Sequence, residues 1–313
     1  MKKQLLSLIG LSEVQWEWRK RAWREHGVFC WRQRLERAEH PALTALIATL
    51  LILYGLMVIA NGFNPLAPFS AEIYQRFGFA FPSLIREHGE YWRLLTAVLV
   101  HFNLWHILFN GVALYQVGQV VERDYGAARF FLVFLVSGIA GNILEWMMMS
   151  NAGVLGGASG GVFGLIGFCG LYAHRMGNLA LRRAMFQWAI YAFVFGFFIR
   201  AANLAHFGGF IAGLAFALVL PPYRFGRPAE VKLYQLLGLL AIGLVAWSFF
   251  KAATFWRGSV AWEQCYEAIQ AQDWPRAQSA CKTAKEFLPT YQETQENWLI
   301  LQEILKKAPP VDR

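Results

Sequence analysis

The chain has 313 residues, 57% of them hydrophobic and only 16% charged, with a mean hydropathy of +0.35. A soluble domain carries about 25% charged residues, so this deficit, with 26 Phe and 13 Trp, excludes an ordinary soluble globular class and points to an all-α polytopic membrane protein. The formal charge of +9 does not argue for nucleic acid, because no recognition motif accompanies it.

The basic residues gather instead in Met1–Arg37, just before the first apolar run. That placement fits a cytoplasmic segment beside anionic lipid. Met1–His40, with Trp16, Trp18, Trp23 and Trp31 among its charges, reads as an amphipathic helix on the bilayer surface or as a small solvated lead-in. The apolar run lies too far from Met1, and lacks the small-residue site, for a cleavable signal peptide.

Stretches apolar enough to cross a bilayer follow at Ala42–Ala60, Leu94–Gln116, Phe130–Met149, Ser159–Met176, Ala184–Ile199, Leu204–Leu220 and Leu233–Phe250. Each crossing needs about 20 residues. The connection Asn61–Tyr91 holds Pro65, Pro68 and Pro82. It is too broken to span and too apolar for a plain water-facing loop, so it is expected to be a structured element at the membrane interface. With the N-terminus inside, the inner loops hold Arg123, Arg129, Arg175, Arg182, Arg183, Arg224 and Arg227, whereas Ser150–Ala158 holds no charge and the next outer loop only Arg200. The first outer loop is the exception, with Arg76, Arg86 and Arg93. The balance places the N-terminus inside and, after seven spans, the C-terminus outside.

Gly258–Arg313 changes character and reads as two amphipathic helices joined near Asp273-Trp274-Pro275. Ala277, Cys281, Ala284 and Pro289 stand where a tetratricopeptide repeat wants small, bulky, small and proline; a generic helical hairpin is the alternative. Cys30 is expected in the cytoplasm and Cys169 within a span. Cys265 and Cys281 fall on facing helices outside, where an oxidising compartment would let them close a disulfide. The domain expectation is therefore a cytoplasmic segment over 1–41, a six-span core over 42–221, a linker and seventh span over 222–251, and an outer hairpin over 252–313.

Polar residues inside spans are costly and are functional candidates by default. Ser159 opens a span after the glycine-rich "GVLGGA". First-turn N–H groups and the positive end of the helix dipole would surround it, as an attacking hydroxyl and its oxyanion need. Glycine and serine are also ordinary packing residues in membrane helices. His206, in "NLAHFGGFIAG", is the candidate base, with Gly209 and Gly213 on its own face facing Gly160, Gly164 and Gly167 of the serine's helix. That stripe lets two backbones approach and brings imidazole and hydroxyl within reach. Asn203, one turn earlier, is placed to orient the imidazole. No acidic residue lies in this span, so a dyad is expected, without a third member. His106 and Asn110 share a helix face at i, i+4, which suits two donors of an oxyanion hole completed by the Ser159 backbone N–H. Metal ligation by His101, His106 and His206 is disfavoured, since no carboxylate or cysteine joins them. His101, on another face, reads as structural or mouth-lining. No metal and no cofactor is expected.

Taken together, His106 and Asn110 ("HxxxN"), Gly157, Ser159 and Gly160 ("GxSG"), and Ala205, His206, Gly209 and Gly213 ("AHxxGxxxG") resemble the rhomboid intramembrane serine proteases, as do Trp92-Arg93 and Glu122, Arg123, Gly126 ("ERxxG"). The resemblance covers about Ala42–Leu220. It implies a six-span core plus one span, Ser159 as nucleophile, His206 as base, His106, Asn110 and the Ser159 amide as oxyanion hole, and Phe163 beneath the histidine ring. It further implies, as substrates, membrane proteins whose single spanning helix unwinds near its outer end. A protein partner at the outer hairpin is a further expectation. The rival reading is a catalytically silent adaptor that binds spans; a transporter is disfavoured because no inverted repeat or acid–base relay is evident.

Overall fold

The structure, a computed structural model, describes residues 40–198, 201–220 and 228–307. The basic aromatic segment with Cys30, and Arg200, Arg224 and Arg227, lie outside the described residues. Among those described the fold is helical, with one isolated bridge between Ala80 and Leu155.

Helix α1, Pro41–Ala60, buries Leu43, Leu46, Leu50, Tyr54 and Met57 along one stripe, the three-and-four spacing of a helix face. Its first turn is capped from elsewhere: Ala42 and Leu43 donate their N–H groups to the two carboxylate oxygens of Glu122, 2.8 Å each. The connection that follows carries three short helices, α2 Ala71–Arg76, α3 Pro82–His88 and α4 Arg93–Thr96. This is the structured element that its prolines and aromatics foretold.

The next span, α5, runs Leu104–Tyr125, ten residues later than the apolar run that begins at Leu94. Asn103 caps it, accepting from the His106 N–H at 2.9 Å. Ala97, Val98, Leu99 and Val100 are buried, but in irregular chain packed under protein. Hydropathy does not distinguish burial in protein from burial in lipid, and that is why the boundary moved.

Helix α6 spans Ala127–Met148, α7 Ser159–Arg175, α8 Leu179–Phe198 and α9 Asn203–Val219. Helix α8 begins five residues before the expected Ala184, because Asn178 caps Leu181 and the first turns bear Arg182 and Arg183, which a hydropathy window discounts. Helix α7 is buried almost all round and packs on α5, α6, α8 and α9, as a helix apolar on every face does.

The expected seventh span, Leu233–Phe250, falls in the N-terminal half of one 43-residue helix, α10, Pro228–Gln270. At 1.5 Å per residue it is about 65 Å long, roughly twice the hydrocarbon thickness, and its C-terminal half packs on the next helix as the first arm of the hairpin. Helix α11, Trp274–Phe287, starts at Asp273, whose side chain accepts from Arg276, with Pro275 in the first turn. Helix α12 is Gln292–Lys307. By length and composition α1, α6 and α10 suffice to cross a membrane, and α9 is a shorter apolar helix. Large apolar side chains such as Ile52, Phe109, Phe197 and Leu239 face outward, a surface suited to lipid and not to water. The protein is an integral membrane helical bundle.

Candidate active site

Ser159 begins α7 at the end of a tethered loop. Ala80 and Leu155 exchange backbone hydrogen bonds of 3.0 and 2.8 Å, and Gly157 donates its N–H to Ala97 at 2.8 Å. Ala158 donates to His101 Nε2 at 3.3 Å. From α3, Arg86 donates to the carbonyls of Trp146 and Met149 at 2.7 and 2.8 Å, and to Asn151. Gly157 holds φ of 133°, a region L side chains rarely enter, and a Cβ there would strike the His106 ring. Glycine at this place therefore satisfies both the chain path and the histidine. Beyond it the first-turn N–H groups of α7 point toward the Ser159 side, carrying the positive end of the helix dipole.

The imidazole arrives from α9. His206 Nε2 lies 2.9 Å from Ser159 Oγ, a hydrogen bond between two helices of the bundle. The contact exists because the helices nearly touch: a Cβ on Gly209 or Gly213 would fall within the van der Waals shell of the Gly160 or Gly164 carbonyl. Phe163, one turn after the serine, stacks beneath the imidazole with centroids 4.4 Å apart and planes 13° apart. Phe193 of α8 meets Phe163 at 4.7 Å. His206 is 7% exposed and held on two sides, with few rotamers left to it. An imidazole nitrogen so placed can take the hydroxyl proton as the oxygen attacks an electrophile.

The remaining predicted residues divide. His106 lies against Gly157, and its ring is 5.1 Å from that of His101. Asn110 is buried, but its amide donates to the His106 carbonyl at 2.9 Å. The Asn203 side chain rests against Gly196 of α8, and among the described residues no hydrogen bond joins it to His206. Trp92 and Arg93 stand away from the dyad: Arg93 binds Glu90 and the carbonyls of Gln75 and Phe79 inside the long connection. Glu122 caps α1, while Arg123 is exposed beside Asp124.

Two placements were not anticipated, and a third, His101, takes the structural place expected of it. Glu145, near the end of α6, accepts the N–H of Ala205 at 2.9 Å and so caps the helix that carries His206. Asn142 donates to the Leu94 carbonyl at 2.9 Å and ties α6 to α4. His101 supports the loop before the serine. Each was a polar residue in an apolar run, and that cost was the available signal. In the hairpin the sulfurs of Cys265 and Cys281 are bonded, with Cα atoms 4.8 Å apart.

Residues 88–223 match the Rhomboid domain. The chain is 32% identical over 234 residues to Rhomboid protease GluP of Bacillus subtilis (strain 168), covering 72% of this chain and 45% of that protein. It is 32% identical over 139 residues to Rhomboid protease GlpG of Photorhabdus laumondii, covering 42% and 48%, and 31% identical over 177 residues to RHOMBOID-like protein 1 of Arabidopsis thaliana, covering 51% and 42%. The chain spans about half the length of the curated relatives it matches.

Proposed function

Because the chain belongs to the rhomboid family, we propose that it is an intramembrane serine endopeptidase that cleaves membrane proteins within or beside a spanning segment. The observation that carries the reading is the 2.9 Å contact between Ser159 Oγ and His206 Nε2. In the proposed reaction the Ser159 oxygen attacks a peptide carbonyl as His206 Nε2 takes its proton. The carbonyl oxygen, now negative, is held by the Ser159 N–H and His106; Asn110 joins when its Nδ2 exchanges the His106 carbonyl for the oxyanion. His206 returns the proton to the departing amine. Water, deprotonated by the same imidazole, then attacks the acyl carbonyl, and His206 returns that proton to Ser159 Oγ as the acyl–oxygen bond breaks, which regenerates the hydroxyl and the neutral imidazole.

The bilayer supplies little water, and the loop over residues 151–158, irregular at this depth, is tolerated only where protein or a wet cavity surrounds it. We read it as the floor of a cavity open to the outer face, with the N-terminus in the cytoplasm and the hairpin outside. On this reading 1–41 is a cytoplasmic segment, 42–221 the catalytic core, 222–251 a linker and seventh span, and 252–313 an outer hairpin able to take a protein partner. The substrate is a helix that unwinds to offer an extended segment.

Purified protein in proteoliposomes is expected to cleave a reporter transmembrane substrate and to react with a fluorophosphonate probe. Ser159→Ala is expected to abolish both with its thermal unfolding unchanged, and His206→Ala to lower both by about 10³-fold or more. A probe that labels wild type and Ser159→Ala equally would leave only the silent adaptor.

A further inference from the structure

The C-terminal hairpin touches the long connection at one corner, and the contact is specific. The Tyr291 hydroxyl donates to Glu90 Oε1 at 3.2 Å. The His88 ring stacks on Tyr291 with centroids 3.7 Å apart and planes 5° apart, and His88 Nδ1–H donates to the Thr290 carbonyl at 3.2 Å. Phe255 of α10 lies 4.5 Å under the Arg93 guanidinium and packs with Trp92 and Leu288. Thr294 Oγ1 makes contacts of 2.9 and 2.6 Å with the Leu288 and Tyr291 carbonyls, which stiffens the corner.

What the corner grips is itself the hub of the connection. Glu90 and Arg93 form an ion pair at 2.5 Å, 8% and 0% exposed. Such a pair is stable in the interior only if its remaining donors and acceptors are met. Arg93 Nη1 donates to the Gln75 and Phe79 carbonyls at 2.8 and 3.2 Å, and its guanidinium lies over the Trp92 and Phe255 rings, whereas Nη2 has no hydrogen-bond partner among the described residues; Glu90 meets its second oxygen on Tyr291, so the hub can spare no further contact. Burial, and then the Glu90 carboxylate, raise the Tyr291 phenol above its ordinary value, so it remains a donor. From this hub the chain reaches the reacting end directly. Phe79 precedes Ala80, which pairs with Leu155, and Ala97 accepts the Gly157 N–H two residues before Ser159.

We propose that the corner Leu288–Tyr291 is an intramolecular strut: docked on His88 and Glu90, it holds the long connection, and through that the backbone leading to Ser159, in the geometry catalysis requires, with Tyr291 as a positioning residue. The catalytic half of this statement rests on the protease reading above; the mechanical half does not. The nearest contact of the strut is with the connection and not with the dyad, so its effect travels through packed backbone that both ends bias.

The test uses the full chain in proteoliposomes, as wild type, Tyr291→Phe and Tyr291→Ala, with amide hydrogen exchange and fluorophosphonate labelling measured on each. Exchange over residues 153–158 and 78–80 is expected to quicken in Tyr291→Ala, labelling to slow about fivefold, and kcat for a reporter substrate to fall with KM nearly constant. Tyr291→Phe, which keeps the stack on His88 and loses the bond to Glu90, is expected to fall between the two. Should Tyr291→Ala not fold, Tyr291→Phe and Glu90→Gln carry the same comparison. Exchange over 153–158 equal to wild type in every folded variant overturns the strut. So does quickened exchange with unchanged labelling, and so does faster labelling, which would make the hairpin a restraint. If wild type neither labels nor cleaves, the protease reading fails, and the exchange data alone judge the strut.

Discussion

At the scale of single residues, the site is organised by polar groups whose partners lie in other helices. Ser159 and His206 are the visible case; Glu145 is the less obvious one. Its carboxylate takes the Ala205 N–H at the start of α9, where four amides lack intrahelical partners, and it adds negative charge at the positive end of that helix. His206 is the next residue. Glu145→Ala is expected to cost about 1–3 kcal/mol in thermal stability, the penalty of an unmet buried donor, and to lower kcat by about 10- to 100-fold through a displaced imidazole. Glu145→Gln, which keeps an acceptor, is expected to restore most of both. Equal kcat for Glu145→Ala and wild type on a reporter substrate would show that the cap leaves the imidazole where it is. The approach of Ser159 to His206 could be read from the sequence because spacing and glycine context surround each member. Asn203 shows the limit: its position one turn before His206 was legible, but its rotamer was set by Gly196 on α8, which no local spacing encodes.

At the scale of helices, the decisive feature is how closely α7 and α9 pack. The glycine stripe was legible, since small residues at Gly209 and Gly213 answer Gly160 and Gly164 on the facing span. A Cβ at Gly213 would meet the Gly164 carbonyl, and a carbonyl cannot swing aside as a side-chain tip can. Gly213→Ala is therefore expected to destabilise the bundle by about 1–3 kcal/mol and to slow probe labelling of Ser159. Gly243→Ala on α10, where a Cβ meets nothing within 4 Å, is expected to be neutral or to stabilise by up to about 1 kcal/mol. Thermal unfolding of both variants in one detergent compares them, and equal effects would remove the close approach as the cause. The helix boundaries that moved share one origin. At Leu94–Phe102 the chain is apolar but capped late by Asn103; at Arg182 and Arg183 it is charged but already helical. Caps, and not hydropathy, ended and began these helices.

At the scale of the molecule, the long α10 joins bundle and hairpin without a break, and the Cys265–Cys281 bond ties α10 to α11. A cross-link closing a loop of this length stabilises by about 3 kcal/mol in the chain-entropy account. Cys281→Ser is expected to lower the melting of the hairpin by that order, and to make the chain beyond α10 the first site of limited proteolysis, with the bundle intact. Proteolysis of the full-length variant in proteoliposomes, with and without a dithiol, reads this out. An unchanged cleavage pattern would assign the hairpin's stability to its alanine-lined core, Ala268, Ala277 and Ala284. The sequence by itself determined the membrane class, the glycine stripe and the approach of Ser159 to His206, because each depends on hydropathy or on spacing within one helix. Only the tertiary structure decided that Glu122 caps α1, that Glu145 caps α9, that Arg93 anchors the long connection, and that Tyr291 reaches Glu90. The Glu122, Glu145 and Tyr291 contacts join residues 60 to 201 positions apart, and those of Arg93 bridge up to 18 positions of irregular chain; contact of either kind is created by packing and leaves no period in the chain to read.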